Sequence, residues 1–380
     1  MKVLMISPWY PNDENPFYGI FIKNHAYAIK DAGVEIQLLV VTVGQSKSIF
    51  KKSISRLIDE KGLVTHVISL KSKYHNLLFY NYIFQYLIVK NYYHKHLEKE
   101  FTPDIIHSNI IFPAAFLGYK LAIIEKKAHV ITEHWSKIDR FMNMRLLGVL
   151  GKKVYNDAAA ITVVSSFLKN KLANFINDEE KLNIIPNVID LENLSRYNQA
   201  NDQPDTIRFT CMSLWEKPKR PELLFHALQG IVNQVNRRIV LNVAGCGSLL
   251  NELKSIRWDF EVRYLGSINH EAKIKVFGNT DYFLHASDME TFSVVIAEAM
   301  AAGIPVLASN VGAIPELISS ENGLMCNNNV DEWSEAILSL VSSKIFDREV
   351  IKKTASRFDK ASVGGSFKKL YMSTLKPQNN

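Results

Sequence analysis

The sequence predicts an α/β protein made of two Rossmann-like domains. At 380 residues the chain is long for a single hydrophobic core, so two domains are expected. An apolar run at 2–9, helical spacing at 20–32 and a second apolar run at 35–43 follow one another as in a βαβ unit. A buried-strand pattern begins again at 207–214, and the α/β rhythm continues behind it. Both halves are therefore predicted to hold a mostly parallel sheet.

A polar, proline-containing stretch separates the two halves. Its sequence, SRYNQANDQPD, covers residues 195–205 and is typical of a linker. This places an N-terminal domain at 1–194 and a C-terminal domain at 206–355. Residues 356–380 are predicted to form a last helix and a tail.

The composition is that of a globular protein, with 47% hydrophobic and 22% charged residues. The first residues, MKVLMISPWYPNDE, indicate a buried strand rather than a signal peptide, and no apolar run is long enough to cross a bilayer. Three widely spaced cysteines suggest neither a disulfide framework nor a metal site. We therefore expect a cytoplasmic protein without a metal or other cofactor.

The net charge of +7 suits three classes of partner: nucleic acid, an anionic membrane surface, or ligands that carry phosphate. No nucleic-acid-binding motif is present, so the second and third classes are favoured. Between 44 and 101, basic residues precede an apolar, aromatic run at 77–89. That run predicts either a helix lying on an anionic membrane or a core helix with a solvated basic end.

The most informative stretch is DMETFSVVIAEAMAAGIP, residues 288–305, with Glu290 and Glu298 eight positions apart. A helix is expected to start near 291–293 and to end before Gly303 and Pro305. Its unpaired N–H groups, from Thr291, Phe292 and Ser293, form an anion site. The two carboxylates are too far apart to share one small group, but they suit hydroxyls on both sides of a diphosphate. A nucleotide sugar has this layout; on spacing alone, an ordinary helix with two solvated glutamates is the alternative.

The flanking residues resemble the retaining, nucleotide-sugar-dependent glycosyltransferases of family four, which have the GT-B fold and an E-x7-E motif. The residues that match in order are Asp281, Ser287, Glu290, Phe292, Glu298, Ala299, Met300, Gly303, Pro305, Val306, Gly312, Pro315 and Glu316. The resemblance implies two Rossmann-like domains facing across a cleft, with a C-terminal helix crossing back to the N-terminal domain.

The resemblance also implies roles for further residues. Gly19, in a loop that matches the family's YP....YG.F pattern, would let the backbone approach the donor phosphate, or would serve a tight turn alone. His134 would face the donor sugar and the acceptor, Lys219 the diphosphate, and Glu290 and Glu298 the sugar and ribose hydroxyls. Gly245 and Ile268 complete the donor site implied by the family. The predicted catalytic residues are His134, Glu290 and Lys219.

One departure from the family concerns the diphosphate. An arginine that accompanies the lysine in the family is replaced here by Ser213 or Leu214, depending on the gap placement. Lys217 or Arg220 could compensate for the missing arginine.

The implied activity is retaining transfer of a hexose or N-acetylhexosamine from a nucleotide diphosphate sugar, with UDP expected as the nucleotide. The implied acceptor is a glycan or a polyprenyl-linked glycan, in capsule, O-antigen or exopolysaccharide synthesis. Peripheral association with the anionic inner face of the plasma membrane is compatible with the charge. The alternatives are another GT-B enzyme, such as an epimerase or a phosphorylase, and a non-catalytic nucleotide-sugar-binding relative.

Overall fold

The computed structural model describes residues 1–12, 15, 17–195, 204–342 and 346–375. The chain packs as two compact units. The first contains Met1–Val188 together with the C-terminal segment from Lys360, and the second contains Ile189–Asp359. The first unit thus ends at Val188 rather than at residue 194, and most of the stretch predicted as a linker lies outside the described residues.

The first unit is built on an eight-stranded sheet in the order β3-β4-β2-β1-β5-β6-β7-β8. All neighbouring strands are parallel except β3, which is antiparallel to β4. The strands are β1 (Lys2–Ser7), β2 (Glu35–Gln45), β3 (Lys51–Ile58), β4 (Val64–Ser72), β5 (Ile105–Asn109), β6 (Ala128–Glu133), β7 (Ala160–Val163) and β8 (Leu182–Ile184).

Helices cover this sheet, as the long apolar strands require. They are α1 (Ile20–Asp31), α2 (Leu78–Tyr92), α3 (Glu98–Glu100), α4 (Phe116–Glu125), α5 (Ile138–Met142), α6 (Arg145–Asp157) and α7 (Ser166–Ala173). A π-helical turn at Tyr93–Leu97 joins α2 to α3.

The second unit is built on a six-stranded, fully parallel sheet in the order β11-β10-β9-β12-β13-β14. Its strands are β9 (Thr206–Met212), β10 (Arg238–Ala244), β11 (Glu261–Gly266), β12 (Tyr282–His285), β13 (Val306–Ser309) and β14 (Gly323–Cys326). Its helices are α8 (Leu191–Ser195), α9 (Pro221–Ile231), α10 (Leu250–Leu253), α11 (His270–Gly278), α12 (Val294–Ala301), α13 (Val330–Ser342) and α14 (Arg348–Ala355).

The last helix, α15 (Lys360–Leu375), belongs to the first unit and packs along α1. Gly364 permits this close packing, because a Cβ atom there would lie 2.1 Å from the carbonyl oxygen of Ala28. Tyr371 reaches the sheet, and its hydroxyl lies 2.6 Å from Nδ1 of His107 on β5. Two doubly wound parallel sheets confirm the prediction of two Rossmann-like domains.

Most of the segment 77–89 lies on the helix α2, which packs one side against the core of the first unit and exposes the other. Leu78, Phe79, Ile83 and Leu87 of α2 are exposed to solvent. In the described parts of the chain, none of the helices combines the length and the hydropathy required to span a membrane.

Candidate functional site

The second sheet has a topological switch point between β9 and β12. From β9 the chain continues to β10 and β11 on one side, and from β12 to β13 and β14 on the other. Loops that leave the carboxyl ends of β9 and β12 therefore diverge and open a crevice, which is where ligands bind in doubly wound sheets. The loop after β9 carries Lys219, and the loop after β12 carries Glu290.

Backbone hydrogen bonds hold these two loops together. The N–H of Arg220 donates to the carbonyl of Ala286 at 3.1 Å, and the N–H of Asp288 donates to the carbonyl of Pro218 at 2.8 Å. This pairing brings Lys219 next to Glu290, although 71 positions separate them in the chain.

Glu290 is the centre of this group. Its Oε1 atom pairs with the Lys219 ammonium and lies 2.7 Å from Nε2 of His285, the last residue of β12. Burial would raise the pKa of the Glu290 carboxyl, but the Lys219 ammonium and the His285 ring hold it at about 2. Burial, together with the Lys219 charge, lowers the pKa of His285. His285 is therefore neutral at pH 7 and donates a hydrogen bond from Nε2 to a carboxylate.

The backbone of Glu290 is also fixed. Its carbonyl accepts a hydrogen bond from the N–H of Ala313 at 3.0 Å. Gly312 allows that approach, since its φ is +57° and a Cβ atom there would lie 2.2 Å from the same carbonyl oxygen. Gly312, which matches the family pattern, is thus required for close packing against Glu290 and helps to fix the position of that residue.

The helix α12 begins at Val294, slightly later than predicted. Ser293 is its N-cap and has φ +66°, a left-handed conformation that is strained for a residue other than glycine. The Ser293 hydroxyl makes no capping bond and lies 3.4 Å from Nε2 of His285 instead. The unpaired N–H groups at the N-terminus of α12 include those of Ser293, Val294 and Val295. Of the three residues predicted for this anion site, only Ser293 therefore contributes.

Phe292 and Thr291 precede the helix. Phe292 is buried, and its ring packs edge-to-face on Phe358 with centroids 5.2 Å apart. Its side chain therefore anchors the turn in the core of the second unit. Thr291 lies in the bend between Glu290 and Phe292.

Glu298 lies on the second turn of α12 and is largely buried. Its Oε1 atom pairs with the ammonium of Lys273 on α11. Both carboxylates of the E-x7-E motif are thus paired with a lysine, and the second lysine was not anticipated from the sequence.

Gly245 and Ile268 follow the next two strands, β10 and β11. Gly245 has φ +100°, and a Cβ atom there would lie 1.8 Å from the carbonyl oxygen of Ser213. The glycine lets the loops after β9 and β10 pack against each other. Ile268 is half-buried on the loop after β11. These residues lie one and two strands from β9, on the side away from Glu290.

The position of the missing arginine carries no cation. Leu214 is exposed, and the Ser213 hydroxyl bonds to the Leu214 carbonyl at 3.3 Å. Of the two residues that could compensate, Arg220 pairs with Glu222 and, at 2.9 Å, with Asp288, whereas Lys217 is exposed. The ammonium of Lys219 is the cation that directly contacts Glu290.

The first unit has its own switch point, between β1 and β5. Gly19 follows β1 and precedes α1, with φ +69°. A Cβ atom at Gly19 would lie 2.6 Å from the carbonyl carbon of Trp9, so the close approach of two loop segments requires glycine there.

His134 follows β6 and is buried beside the ends of β1 and β5. Its Nε2 lies 3.3 Å from the Asn109 side-chain oxygen, and its ring lies 4.7 Å from that of Phe21, between ring centroids. The centroid of the His25 ring lies 5.6 Å from that of the His134 ring. Burial and the neighbouring His25 lower the pKa of His134 well below the usual value, so the ring is neutral at pH 7.

Glu133, the last residue of β6, is a functional candidate that sequence reasoning missed. Its fully buried carboxylate accepts bonds from the N–H groups of His134 (2.9 Å), Trp135 (2.7 Å) and Ile111 (2.9 Å) and from the Tyr155 hydroxyl (2.7 Å). Burial raises its pKa, while each of these donors favours the ionised form. The carboxylate thus fixes the turn that carries His134.

Glu133 also holds a strained neighbour in place. Ile110 has φ +72°, an outlier for a β-branched residue, and its next residue, Ile111, donates to Glu133. The detectable signal was a carboxylate at the end of an otherwise apolar strand pattern, AHVITE.

We expect Glu133→Gln to lower the free energy of unfolding of the first unit by about 3 kcal/mol, because an amide cannot accept all four bonds and leaves buried donors unpaired. Urea denaturation of the purified variant measures this change. Asp157→Asn is the matched control: Asp157 also accepts from a tyrosine, Tyr119 at 2.6 Å, but at an exposed position. The control should lose less than about 1 kcal/mol, and equal losses in both variants would contradict the assignment.

One side-chain trio in the described residues has metal-ligating atoms close together. The ligand atoms of His94 in the π-helical turn, Glu98 on α3 and Glu125 on α4 lie within 4.8 Å of one another. His94 Nδ1 lies 3.0 Å from Glu98 and 3.8 Å from Glu125, so ion pairing accounts for the cluster.

Two family models match the chain, one to each half. Residues 19–193 match Glycosyltransferase Family 4, and residues 197–357 match Glycosyl transferases group 1. The chain belongs to glycosyltransferase family 4. The chain has the GT-B fold, as the sequence predicts.

Curated relatives of the glycosyltransferase are distant. N-acetyl-alpha-D-glucosaminyl L-malate synthase of Bacillus anthracis is 26% identical over 238 residues, 59% of this chain and 61% of the relative. A GDP-mannose-dependent alpha-(1-6)-phosphatidylinositol monomannoside mannosyltransferase of Mycobacterium tuberculosis is 25% identical over 229 residues, 54% of this chain and 58% of the relative. The aligned region thus spans about three fifths of each relative.

Among solved structures, Anabaena HepE in complex with UDP-glucose superposes with a TM-score of 0.70 at 17% identity, covering 98% of this glycosyltransferase and 100% of that chain. At this identity the likeness supports the fold.

Proposed function

We propose that this glycosyltransferase moves a hexose or N-acetylhexosamine from a nucleotide diphosphate sugar to its acceptor with retention of anomeric configuration. The observation that carries the proposal is the group at the switch point of the second unit. There the Lys219 ammonium pairs with Glu290 on the loop after β12, and this loop leads into the N-terminus of α12, which carries Glu298 on its second turn. This combination suits a diphosphate flanked by hydroxyl-bearing sugars.

The leaving group is a nucleoside diphosphate, so the main chemical task is to stabilise the negative charge that develops on it. Lys219 and the N–H groups of the first turn of α12 are proposed for this role. Glu290 is ionised over the whole physiological pH range and is proposed to accept hydrogen bonds from the transferred sugar. Glu298 is proposed to accept them from the ribose. His134 is proposed as the catalytic residue of the first unit. None of these steps uses a metal or other cofactor.

UDP is the proposed nucleotide, and a glycan or a polyprenyl-linked glycan is the proposed acceptor, in the synthesis of capsule, O-antigen or exopolysaccharide at the cytoplasmic face of the membrane. Relatives support a nucleotide-sugar donor without fixing its base. One is named for GDP-mannose, and a structural neighbour holds UDP-glucose.

Thermal denaturation with UDP, GDP, ADP, CDP and dTDP tests the donor. One nucleotide should raise the melting temperature of the wild type by about 5 °C, corresponding to about 2.7 kcal/mol at 100 times its Kd. The shift should disappear in Glu298→Ala and persist in Glu271→Ala, a change at an exposed glutamate on α11. Absence of a shift with every nucleotide would contradict the proposal and favour a relative that keeps the fold without donor binding.

The same preparation distinguishes the rival activities. An epimerase would convert the free nucleotide sugar without an acceptor, and a phosphorylase would require inorganic phosphate. A transferase releases the nucleoside diphosphate faster when its acceptor is present. Binding without any release would identify a non-catalytic nucleotide-sugar-binding protein, the alternative that the missing arginine keeps open.

A further inference from the structure

The helix α2 is packed with its polar side inward. Asn81 and Gln85 are 5% and 2% exposed, and Val89 and Tyr92 continue the same buried stripe. On the opposite side Phe79, Ile83 and Leu87 form a stripe with helical i, i+4 spacing and are 51%, 43% and 54% exposed. A helix at a water-exposed surface has the reverse arrangement.

The buried polar side has a structural reason. The Asn81 side-chain NH2 group lies within hydrogen-bond distance of three carbonyls in the turn before the helix, those of Tyr74 (2.9 Å), His75 (3.1 Å) and Leu77 (2.9 Å), and its two hydrogens are shared among them. Tyr82 contacts Phe112 and Phe116, which fixes α2 against the core of the first unit. These contacts fix the rotation of α2, so its apolar stripe stays at the surface.

The region around α2 also carries the whole net charge of the protein. Residues 36–97 contain nine Lys and Arg against Asp59 and Glu60, a net charge of +7. The complete chain has the same net charge, from 45 basic and 38 acidic residues, so the rest of the sequence is neutral on balance. Between Lys61 and Leu97 there is no acidic residue.

Exposed basic side chains lie before and after the apolar stripe in the chain and on the neighbouring strand. Lys71, Lys73, Lys90 and Lys95 are exposed before and after the stripe. The neighbouring strand β3 exposes Lys51 and Lys52, and Phe50, just before it, contacts Phe84 of α2 with ring centroids 5.2 Å apart. The membrane-docking face is defined here as α2 from Leu78 to Lys90 together with Lys51, Lys52, Lys71 and Lys73.

We propose that this membrane-docking face lies on an anionic lipid bilayer. Phe79, Ile83 and Leu87 would insert at the boundary between headgroups and acyl chains, and the lysines would pair with acidic headgroups. An exposed apolar stripe with exposed lysines next to it in the chain and on a neighbouring strand matches this surface. A second copy of the chain fits less well, because a two-fold interface would bring the same positive face against itself. The proposal does not depend on the identity of the sugar donor.

Cosedimentation of the purified full chain with vesicles tests the proposal. Wild-type protein should bind vesicles of phosphatidylcholine with 30% phosphatidylglycerol at least about tenfold more strongly than vesicles of phosphatidylcholine alone, and 0.5 M NaCl should remove most of this difference. Ile83→Asp/Leu87→Asp should lower binding to anionic vesicles at least about tenfold. Lys73→Glu/Lys90→Glu should do the same, since each lysine near an anionic surface contributes about fivefold.

Matched controls lie outside the face. Val350→Asp changes an exposed apolar residue on α14, and Lys369→Glu changes an exposed lysine on α15. Both should bind vesicles as the wild type does. Melting temperatures and the nucleotide-induced shift of all variants should stay unchanged, which separates a failure of membrane docking from a failure of the donor proposal.

Equal binding to neutral and anionic vesicles, or no binding to either, would overturn the proposal. Dimerisation of the wild type that is lost in Ile83→Asp/Leu87→Asp, without vesicle binding, would assign the face to a second copy. The wild-type lipid and salt comparisons decide the question even where a variant misfolds.

Discussion

Replacing Glu290 with glutamine is expected to lower the rate of nucleotide-sugar turnover about 100- to 1000-fold, the usual cost of removing a charged hydrogen-bonding group from the reacting centre. The carboxylate pairs with Lys219 and accepts a hydrogen bond from His285 within the switch point. Its pKa of about 2 means that it is fully ionised wherever the enzyme is folded. An amide of the same shape removes this charge and with it the pairing of the Lys219 ammonium.

The effect should fall on the chemical step rather than on nucleotide binding. Glu290 is proposed to contact the transferred sugar, so Glu290→Gln should keep the thermal shift with the preferred nucleoside diphosphate. The rate of turnover is measured as release of the preferred nucleoside diphosphate from UDP-hexoses or GDP-hexoses, in the presence and in the absence of an acceptor. Asp288→Asn, two residues upstream in an exposed ion pair with Arg220, should change the rate less than about threefold. A Glu290→Gln variant within tenfold of the wild-type rate would exclude the proposed role.

The sequence predicted the fold of both units because parallel strands and their helices leave a strong pattern. The apolar runs at 2–9 and 207–214 became β1 and β9, the first strands of the two sheets. The E-x7-E segment was located correctly, but its helix begins at Val294 because Ser293 adopts a positive φ that tertiary contacts impose. Propensity alone does not encode that strain.

Other parts of the site could not be predicted because they depend on contacts distant in sequence. Lys219 was predicted as a site residue, but its pairing with Glu290 was not, and Lys273, the partner of Glu298, comes from another helix. His285 occupies a position that an apolar residue could fill in a buried strand. The segment 44–101 was the least predictable, since α2 buries Asn81 and Gln85 and exposes its apolar residues. A rule that places apolar residues inside is wrong for such a helix.

The first unit should lose stability as the pH falls below about 6.5, because it buries neutral histidines. His25, His107 and His129 are fully buried, and burial holds their pKa values at about 4, 3 and 3. In the unfolded chain a histidine has a pKa of about 6.5. Between that value and about pH 4 the unfolded state binds more protons than the folded state, so the free energy of unfolding decreases as the pH falls.

These three groups alone should lower the stability of the first unit by about 3 kcal/mol between pH 6 and pH 5, and the buried His66 and His134, whose pKa values are also lowered, add to this loss. Burial is the main cause of these low pKa values, and the hydrogen bonds fix the rings: His25 Nε2 donates to the Pro186 carbonyl at 3.0 Å, and His107 lies 2.6 Å from both Tyr371 Oη and Thr132 Oγ1. In the described part of the second unit the buried histidine is His285, so a smaller loss is expected there.

Hydrogen exchange at pH 7, 6 and 5, followed by mass spectrometry after correction for the intrinsic exchange rate, measures this difference between units. Peptides from β1 and β5 should lose protection as the pH falls, while those from β9 and β12 should change less.

His129→Gln keeps a hydrogen-bonding partner for Ser108, which lies 3.0 Å from the ring, but removes one titrating group. It should reduce the pH dependence of the first unit by about one fifth, because the pKa values of the buried His66 and His134 are lowered as well. His226→Gln, at an exposed position on α9, should leave it unchanged. Protection in β1 and β5 that stays constant from pH 7 to pH 5 would show that these rings do not control the stability of the first unit.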